Sequence, residues 1–360
     1  MDAFRSLTFP IVSVWLLHTL LVFFAVSLLV VFVGLGVHKN SVLRRERRHA
    51  ENRERERDVI RAIAAGDSRG FTSVSDLQHA FSLVDALHDC NITDPQEEKR
   101  IYDALASTPI ELLLRDAIRS KDWGLRFKSM TAIHDLAWPV FFNELLEHVA
   151  NEDNLRVKCS GLYACSGVLD TPEQFLKLYD TTDAIEQLTT GFTESVFRTG
   201  LKRLVRYAEP DAIAQVLDTC LQRPLSPRLA SLILSIGKEH LHTLGPKIVA
   251  CARARPQRNI VISSMRALYL MGLSDPIIVE SLSSDDPVTQ VAAIRCSPFC
   301  ADAPDKLVGL MTSRSFDVRY AAAITLLTFG AQGTELLDTV RTGFDDPYAR
   351  NMAAFALAME

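Results

Sequence analysis

The sequence predicts an all-α protein in which one transmembrane helix and a charged helix precede an α-solenoid of helical hairpins, within 360 residues. Three observations predict it. Residues 9–37 contain no Asp, Glu, Lys or Arg. Beyond residue 70, apolar residues recur at spacings of three and four, without the alternation of a strand. A pattern of cap, basic residue and alanine pair also returns about every thirty residues, and such a period outranks any globular reading.

The apolar run comes first. About twenty apolar residues cross a hydrocarbon core about 30 Å thick, so 9–37 is read as a transmembrane helix with room for tilt. Leu, Val and Phe dominate it, Trp15 is suited to one interface, and His18, Thr19 and Ser27 are its polar members. A removable signal peptide fits less well. The run is too long, only Arg5 precedes it as a cation, and Gly34-Leu35-Gly36-Val37-His38 makes a poor cleavage site. An intramembrane His often marks function, and for His18 the functional reading is a helix–helix contact with another membrane protein.

Behind the span lies a basic cluster: Lys39, Arg44, Arg45, Arg47, Arg48, Arg53, Arg55, Arg57 and Arg61, against Glu46, Glu51, Glu54, Glu56 and Asp58. Positive residues beside a span stay cytoplasmic. The N-terminus is therefore expected outside and the remainder in the cytosol, at the plasma or inner membrane if bacterial. Residues 38–66 are expected to form a juxtamembrane helix, supported by pairs such as Glu51 with Arg55 and ended near Gly66. Arg44, Arg45, Arg47 and Arg48 are placed to meet anionic headgroups; a solvated flank that only sets topology is the other reading. The whole chain carries −5, which leaves an acidic bulk after this cluster. Phosphate binding needs a basic face, so nucleic acid is not expected as a partner. Seven cysteines without framework spacing read as small core residues in a reducing compartment.

Residues 70–120 are expected to be a helical N-terminal cap and 121–360 the repeat region. The clearest copies are Asp286-Pro287 with Gln290 and Ala292-Ala293, Ser315 with Arg319 and Ala321-Ala322, and Asp346-Pro347 with Arg350 and Ala353-Ala354. Val261, Arg228, Arg198, Lys158 and Lys128 extend the ladder upstream, and Asp94-Pro95 marks a weaker start. Asp286, Asp346, Asp94 and Ser226 each stand before proline. An oxygen-bearing N-cap accepts free backbone N–H groups, and proline at the first helical position forfeits no hydrogen bond. Alanine and Ser/Gly pairs admit close helix approach, and the Leu, Ile and Phe residues after them supply a buried face. Gly330, Gly272 and Gly237 are expected to break each first helix before a short second one, as in 334–342 or 302–311. A single pair cannot bury its own apolar face, so stability must come from stacking on the next.

The pattern Asp-Pro-x-x-Arg-x-x-Ala-Ala-x-x-Leu resembles the HEAT repeat, in particular the short HEAT-like variety shared with phycobilin lyases. It covers roughly residues 120–360 and is best from 283 onward. Val261 and Gln290 replace the Arg, and several units lack Asp-Pro. The resemblance implies a right-handed α-superhelix whose second helices line a concave face that holds protein partners. The Trp/Gly/Tyr/Pro signature of the 34-residue TPR unit is missing.

Signals for chemistry are faint. Cys296 with Cys300 and Cys159 with Cys165 are isolated pairs, better read as core thiols than as half of a zinc site. His240 and His242 straddle two helix faces and read as surface histidines. Glu144, Glu147 and His148 share one short helix, but the His-Glu-x-x-His motif is missing and a solvated face is the simpler reading. Arg44-Arg45-x-x-Arg48 has no companion motif for a cyclic dinucleotide, and no Gly-rich phosphate loop, nucleophile elbow or kinase set appears. No catalytic, cofactor-binding or metal residue is assigned, and no enzyme activity is expected. The expected function is a membrane-anchored cytosolic scaffold or adaptor, with partners on a concave face lined by 211–221, 241–253 and 302–311; an accessory subunit of a membrane enzyme or assembly is one form of it. The alternatives are a phycobilin-lyase-like enzyme, implied only by the resemblance, and an anionic-lipid-reading module at residues 39–61.

Overall fold

The computed structural model describes residues 23–24, 39, 53–67, 71, 74–92, 94–223 and 226–359. All regular structure among them is helical. No helix among them is long and apolar enough to cross a membrane. The expected span 9–37 lies outside the described residues, save Phe23 and Phe24, which are helical and exposed. His18 and the cluster Arg44, Arg45, Arg47 and Arg48 lie outside them too.

The chain divides into two compact units, at Ile110 and Glu111. In the first unit, helical residues 53–64 (α1) are followed by α2 (Leu77–Cys90) and α3 (Pro95–Leu105). The expected charged helix is more than a solvated flank here. Ile60, Ile63 and Ala64 are buried, and so is Glu56, which accepts from Ser82 Oγ at 3.0 Å and lies 3.1 Å from His79 Nε2 on α2. Arg53 and Arg57 both reach Asp89 at the far end of α2. Burial pushes the Glu56 carboxyl above its usual range, against the opposing pull of Ser82 and His79. Three of the described basic residues therefore hold acidic neighbours, since Arg61 also faces Asp58 at 3.6 Å.

The second unit holds α4 (Ile110–Ile118), α5 (Trp123–Leu136), α6 (Phe142–Asn151), α7 (Leu155–Val168), α8 (Pro172–Asp183), α9 (Thr190–Tyr207), α10 (Pro210–Gln222), α11 (Pro227–Lys238), α12 (Gly245–Ala254), α13 (Arg258–Leu270), α14 (Pro276–Ser281), α15 (Pro287–Cys296), α16 (Ala303–Leu310), α17 (Phe316–Leu327), α18 (Ala331–Gly343) and α19 (Pro347–Leu357). Odd-numbered helices pack on the next odd one without a break, from α5 against α7 to α17 against α19. Even helices do the same from α6 through α8 and α10 to α12, and again from α16 to α18. From α7 to α17, each odd helix thus has odd neighbours on two sides and at least one even helix against it. Apolar residues are accordingly spread around the circumference of α15 and α17 instead of forming one stripe.

The caps fall as the sequence predicts. Asp94, Ser226, Asp286 and Asp346 accept from the amides of Gln96, Arg228, Thr289 and Tyr348. Replacing Asp346 by Ala should cost about 1 kcal/mol in urea denaturation, the usual loss at an N-cap, because Tyr348 N–H loses an acceptor at 2.8 Å.

The ladder of basic residues falls wholly on odd helices, but three rungs are out of register. Counting four residues from each N-cap, the equivalent positions are Arg126, Lys158, Thr193, Ala230, Val261, Gln290, Arg319 and Arg350. Lys128, Arg198 and Arg228 are not among them. Four of these eight rungs share a mechanical role. Arg126 donates to Ser120 O at 2.9 Å, Gln290 to Leu282 O at 2.7 Å, Arg319 to Ser313 O at 2.6 Å and Arg350 to Phe344 O at 3.2 Å. Each reaches back to carbonyls that the preceding even helix or its loop leaves without an intrahelical partner.

Gly272 and Gly330 end their helices with φ of +67° and +60°, as expected. Gly237 does not. It lies inside α11, and the left-handed turn is made by His240 at φ +53°. A Cβ on Gly237 would stand 2.5 Å from Cα of Ala267 on α13, so its role is close approach between helices.

Candidate interaction surface

The even helices carry the segments expected to receive a partner: 211–221 on α10, 241–253 on α12 and the short 3₁₀ turn before it, and 302–311 on α16. Their outward charges are largely taken by neighbours. Lys247 pairs with Asp218 at 3.0 Å, Arg253 with Glu280 at 3.4 Å, and Arg223 with Asp180. Lys306 donates to Val279 O at 3.4 Å. Among the described residues, none of the large apolar side chains left exposed lies on α6, α8, α10, α12, α14, α16 or α18.

In the second unit most of them lie on odd helices, the exceptions being Leu112 on α4, Val140 and Phe299 on short 3₁₀ turns, and Met359 beyond α19. Trp123 and Phe127 on α5, Leu155 on α7, Val205 on α9, Tyr269 on α13, Val288 on α15, Phe316 on α17, and Tyr348 and Phe355 on α19 are all exposed, with Tyr348 at 67%. Toward the C-terminal end they interlock: Tyr269 and the neighbouring Phe299 have ring centroids 5.3 Å apart, Phe316 stacks on Tyr320 at 6.0 Å, and Tyr320 meets Phe355 at 6.2 Å. The Arg319 guanidinium lies over the Tyr348 ring, 5.4 Å from its centroid.

Between three of these helices runs a groove of about 510 Å³. α13 lines it with Ile262, Arg266 and Tyr269; α15 with Pro287, Val288, Val291, Ala292, Arg295 and Cys296; α17 with Asp317 and Tyr320. That size lies within the range of pockets that take a drug-sized group or a few side chains. Cys296 is buried at its floor, and burial pushes the thiol up to about 11 against the pull of Arg266 and Arg295. The residue is thus a packed thiol held in its protonated form by burial.

The remaining chemical candidates separate in space. Glu144 faces Arg119 at 2.6 Å and also pairs with Arg115, His148 bonds Glu152 at 3.0 Å, and Glu147 is exposed. The rings of His240 and His242 stack with centroids 6.1 Å apart. All seven cysteines are free thiols, and Cys165, Cys220, Cys251, Cys296 and Cys300 are buried. Burial raises Cys165 and takes Cys220 to about 12. Among the described residues no group of three or more His, Cys, Asp or Glu is arranged to hold a metal ion.

No protein-family model matches the chain, and no curated protein is significantly similar to it.

The sequence does not reveal the groove, because Tyr269, Val288, Val291 and Tyr320 are the residue types of a core. One signal was available. Arg198, Arg266 and Arg295 each stand nine residues after an N-cap, on α9, α13 and α15.

Proposed function

We propose that the second unit is an α-solenoid of the HEAT-like kind and acts as a non-enzymatic scaffold for a protein partner. The row of odd helices, each packed on the next, supports the solenoid reading. The observation that carries the scaffold reading is the concentration of exposed apolar side chains on those odd helices, Leu112 on α4 apart, while α10, α12 and α14 share the ion pairs Lys247–Asp218 and Arg253–Glu280. Contiguous exposed apolar surface is the mark of an interaction site. The docking face is accordingly placed on the first helices of the hairpins, not on the second helices that the resemblance implied. Residues 9–37 serve as the tether and hold this face at the cytosolic side of a membrane. Confinement to the membrane plane raises its effective concentration toward other membrane-bound proteins.

The test is site-specific photocrosslinking of the full chain in intact membranes of its native host. A photoreactive residue at Val288, on the odd face, is expected to give a discrete adduct with a second protein. The same residue at Asp305, exposed on α16, is expected to give none. Adducts at Asp305 alone, or at neither position, would reject the reading.

A further inference from the structure

Arg266 and Arg295 hold no ion pair or hydrogen bond among the described residues. In the second unit this sets them apart, because most of its other arginines are engaged: Arg126 with Glu152, Arg223 with Asp180, Arg258 with Asp286, and Arg228 and Arg319 with backbone carbonyls. The chain has 44 acidic residues for 39 basic ones, so acidic partners are not scarce. Asp317 lines the same groove and pairs with neither. Arg266 and Arg295 occupy the same register on neighbouring helices, are both exposed, and line one groove with the buried Cys296. Two unpaired guanidiniums thus line one groove, beside Tyr269, Tyr320 and Val288, in a unit that is otherwise acidic.

We propose that this groove is the docking site for an acidic peptide segment of the partner protein, one that carries a carboxylate beside a large apolar or aromatic side chain. The inference rests on the scaffold reading and names the class of partner for that face. Guanidinium forks donate two parallel N–H bonds to a carboxylate, and arginine with tyrosine around a partly enclosed apolar pocket is the usual make-up of a binding hot spot. The carboxylate takes the two guanidiniums, and the apolar side chain enters between Tyr269, Val288 and Tyr320. A basic or purely polar segment would leave both guanidiniums uncompensated. The charge also steers encounter, so affinity falls as salt is raised.

The experiment is selection of a displayed library of random ten-residue peptides against the full chain in detergent micelles. Enriched peptides are then synthesised and their affinity measured directly. The expected result is enrichment of Asp or Glu adjacent to an aromatic or large aliphatic residue. Binding should fall by at least about tenfold in Arg266→Ala and in Arg295→Ala, and also when the peptide carboxylate is replaced by its amide. Arg314→Ala removes an exposed arginine outside the groove and should leave affinity unchanged. Since Arg266 and Arg295 hold nothing in the fold, both variants should keep the thermal midpoint of the parent chain, so lost binding is not lost folding. Enrichment of basic peptides, no enrichment, or binding that survives both arginine substitutions would overturn the proposal. A Val288 crosslink combined with a failed selection removes the acidic-peptide site and leaves the scaffold; failure of both removes both.

Discussion

Replacing Glu152 by Gln should destabilise the second unit by about 3–5 kcal/mol, the usual cost of breaking a buried ion pair. Glu152 follows α6, and its side chain is 4% exposed. One carboxylate oxygen accepts from Arg126 Nε at 2.8 Å and the other from Arg126 Nη2 at 3.0 Å, a two-pronged bond from α5. It also accepts from Asn154 N–H at 2.9 Å and contacts His148 Nε2 at 3.0 Å. A single side chain therefore joins α5, α6 and the loop that caps α7. Burial pushes its carboxyl up, but Arg126, the Asn154 amide and His148 outweigh burial and hold it at about 2, against an ordinary 4.5.

The same shift sets a pH dependence. The folded value is depressed, so between the two values the unfolded chain binds more protons than the folded one. Stability from this group is complete above about pH 4.5 and is lost as pH falls toward about 2. A shift of this size corresponds to a contribution on the order of 3 kcal/mol. Urea denaturation at pH 7 and pH 3 should show the parent losing part of this increment, and Glu152→Gln lacking that share of the loss. Equal losses in both proteins would contradict the assignment.

Gly237→Ala should cost about 3 kcal/mol, near the upper end for overpacking. The added Cβ would stand 2.5 Å from Cα, 2.8 Å from Cβ and 2.9 Å from the carbonyl oxygen of Ala267. Two of those three atoms are backbone, so α11 and α13 must separate. Ala267→Gly in the same chain should rescue only part of the loss, because it removes only the Cβ. Full rescue would mean that the backbones are not as close as described.

These two sites show where the sequence was legible and where it was not. Asp-Pro and Ser-Pro steps are local signals, and the caps at Asp94, Ser226, Asp286 and Asp346 follow from them directly. Gly237 reads as a helix breaker in the sequence because a glycine near a helix end looks the same whether it turns the chain or admits a neighbour. Only the position of Ala267 decides, and no local pattern carries that. His240 makes the turn at positive φ without being a glycine, so it gave no cue. The ladder slipped at Lys128, Arg198 and Arg228 because a basic residue lies near the right spacing while the caps Asp122, Thr189 and Ser226 place the true rung elsewhere. The groove was illegible for a deeper reason. An odd helix needs apolar residues toward both odd neighbours and toward the even helices behind it. With three sides apolar, the sequence pattern cannot show that a fourth is apolar as well.

The proposed stack of hairpins is tested most directly by hydrogen exchange of the full chain carrying Gly237→Ala. Nearest-neighbour stacking predicts that protection falls most in α11 and α13, less in α9 and α15, and little in α19, because each hairpin is supported only by those beside it. An equal loss of protection in every helix from α5 to α19 would mean one cooperative globule and would contradict the stack.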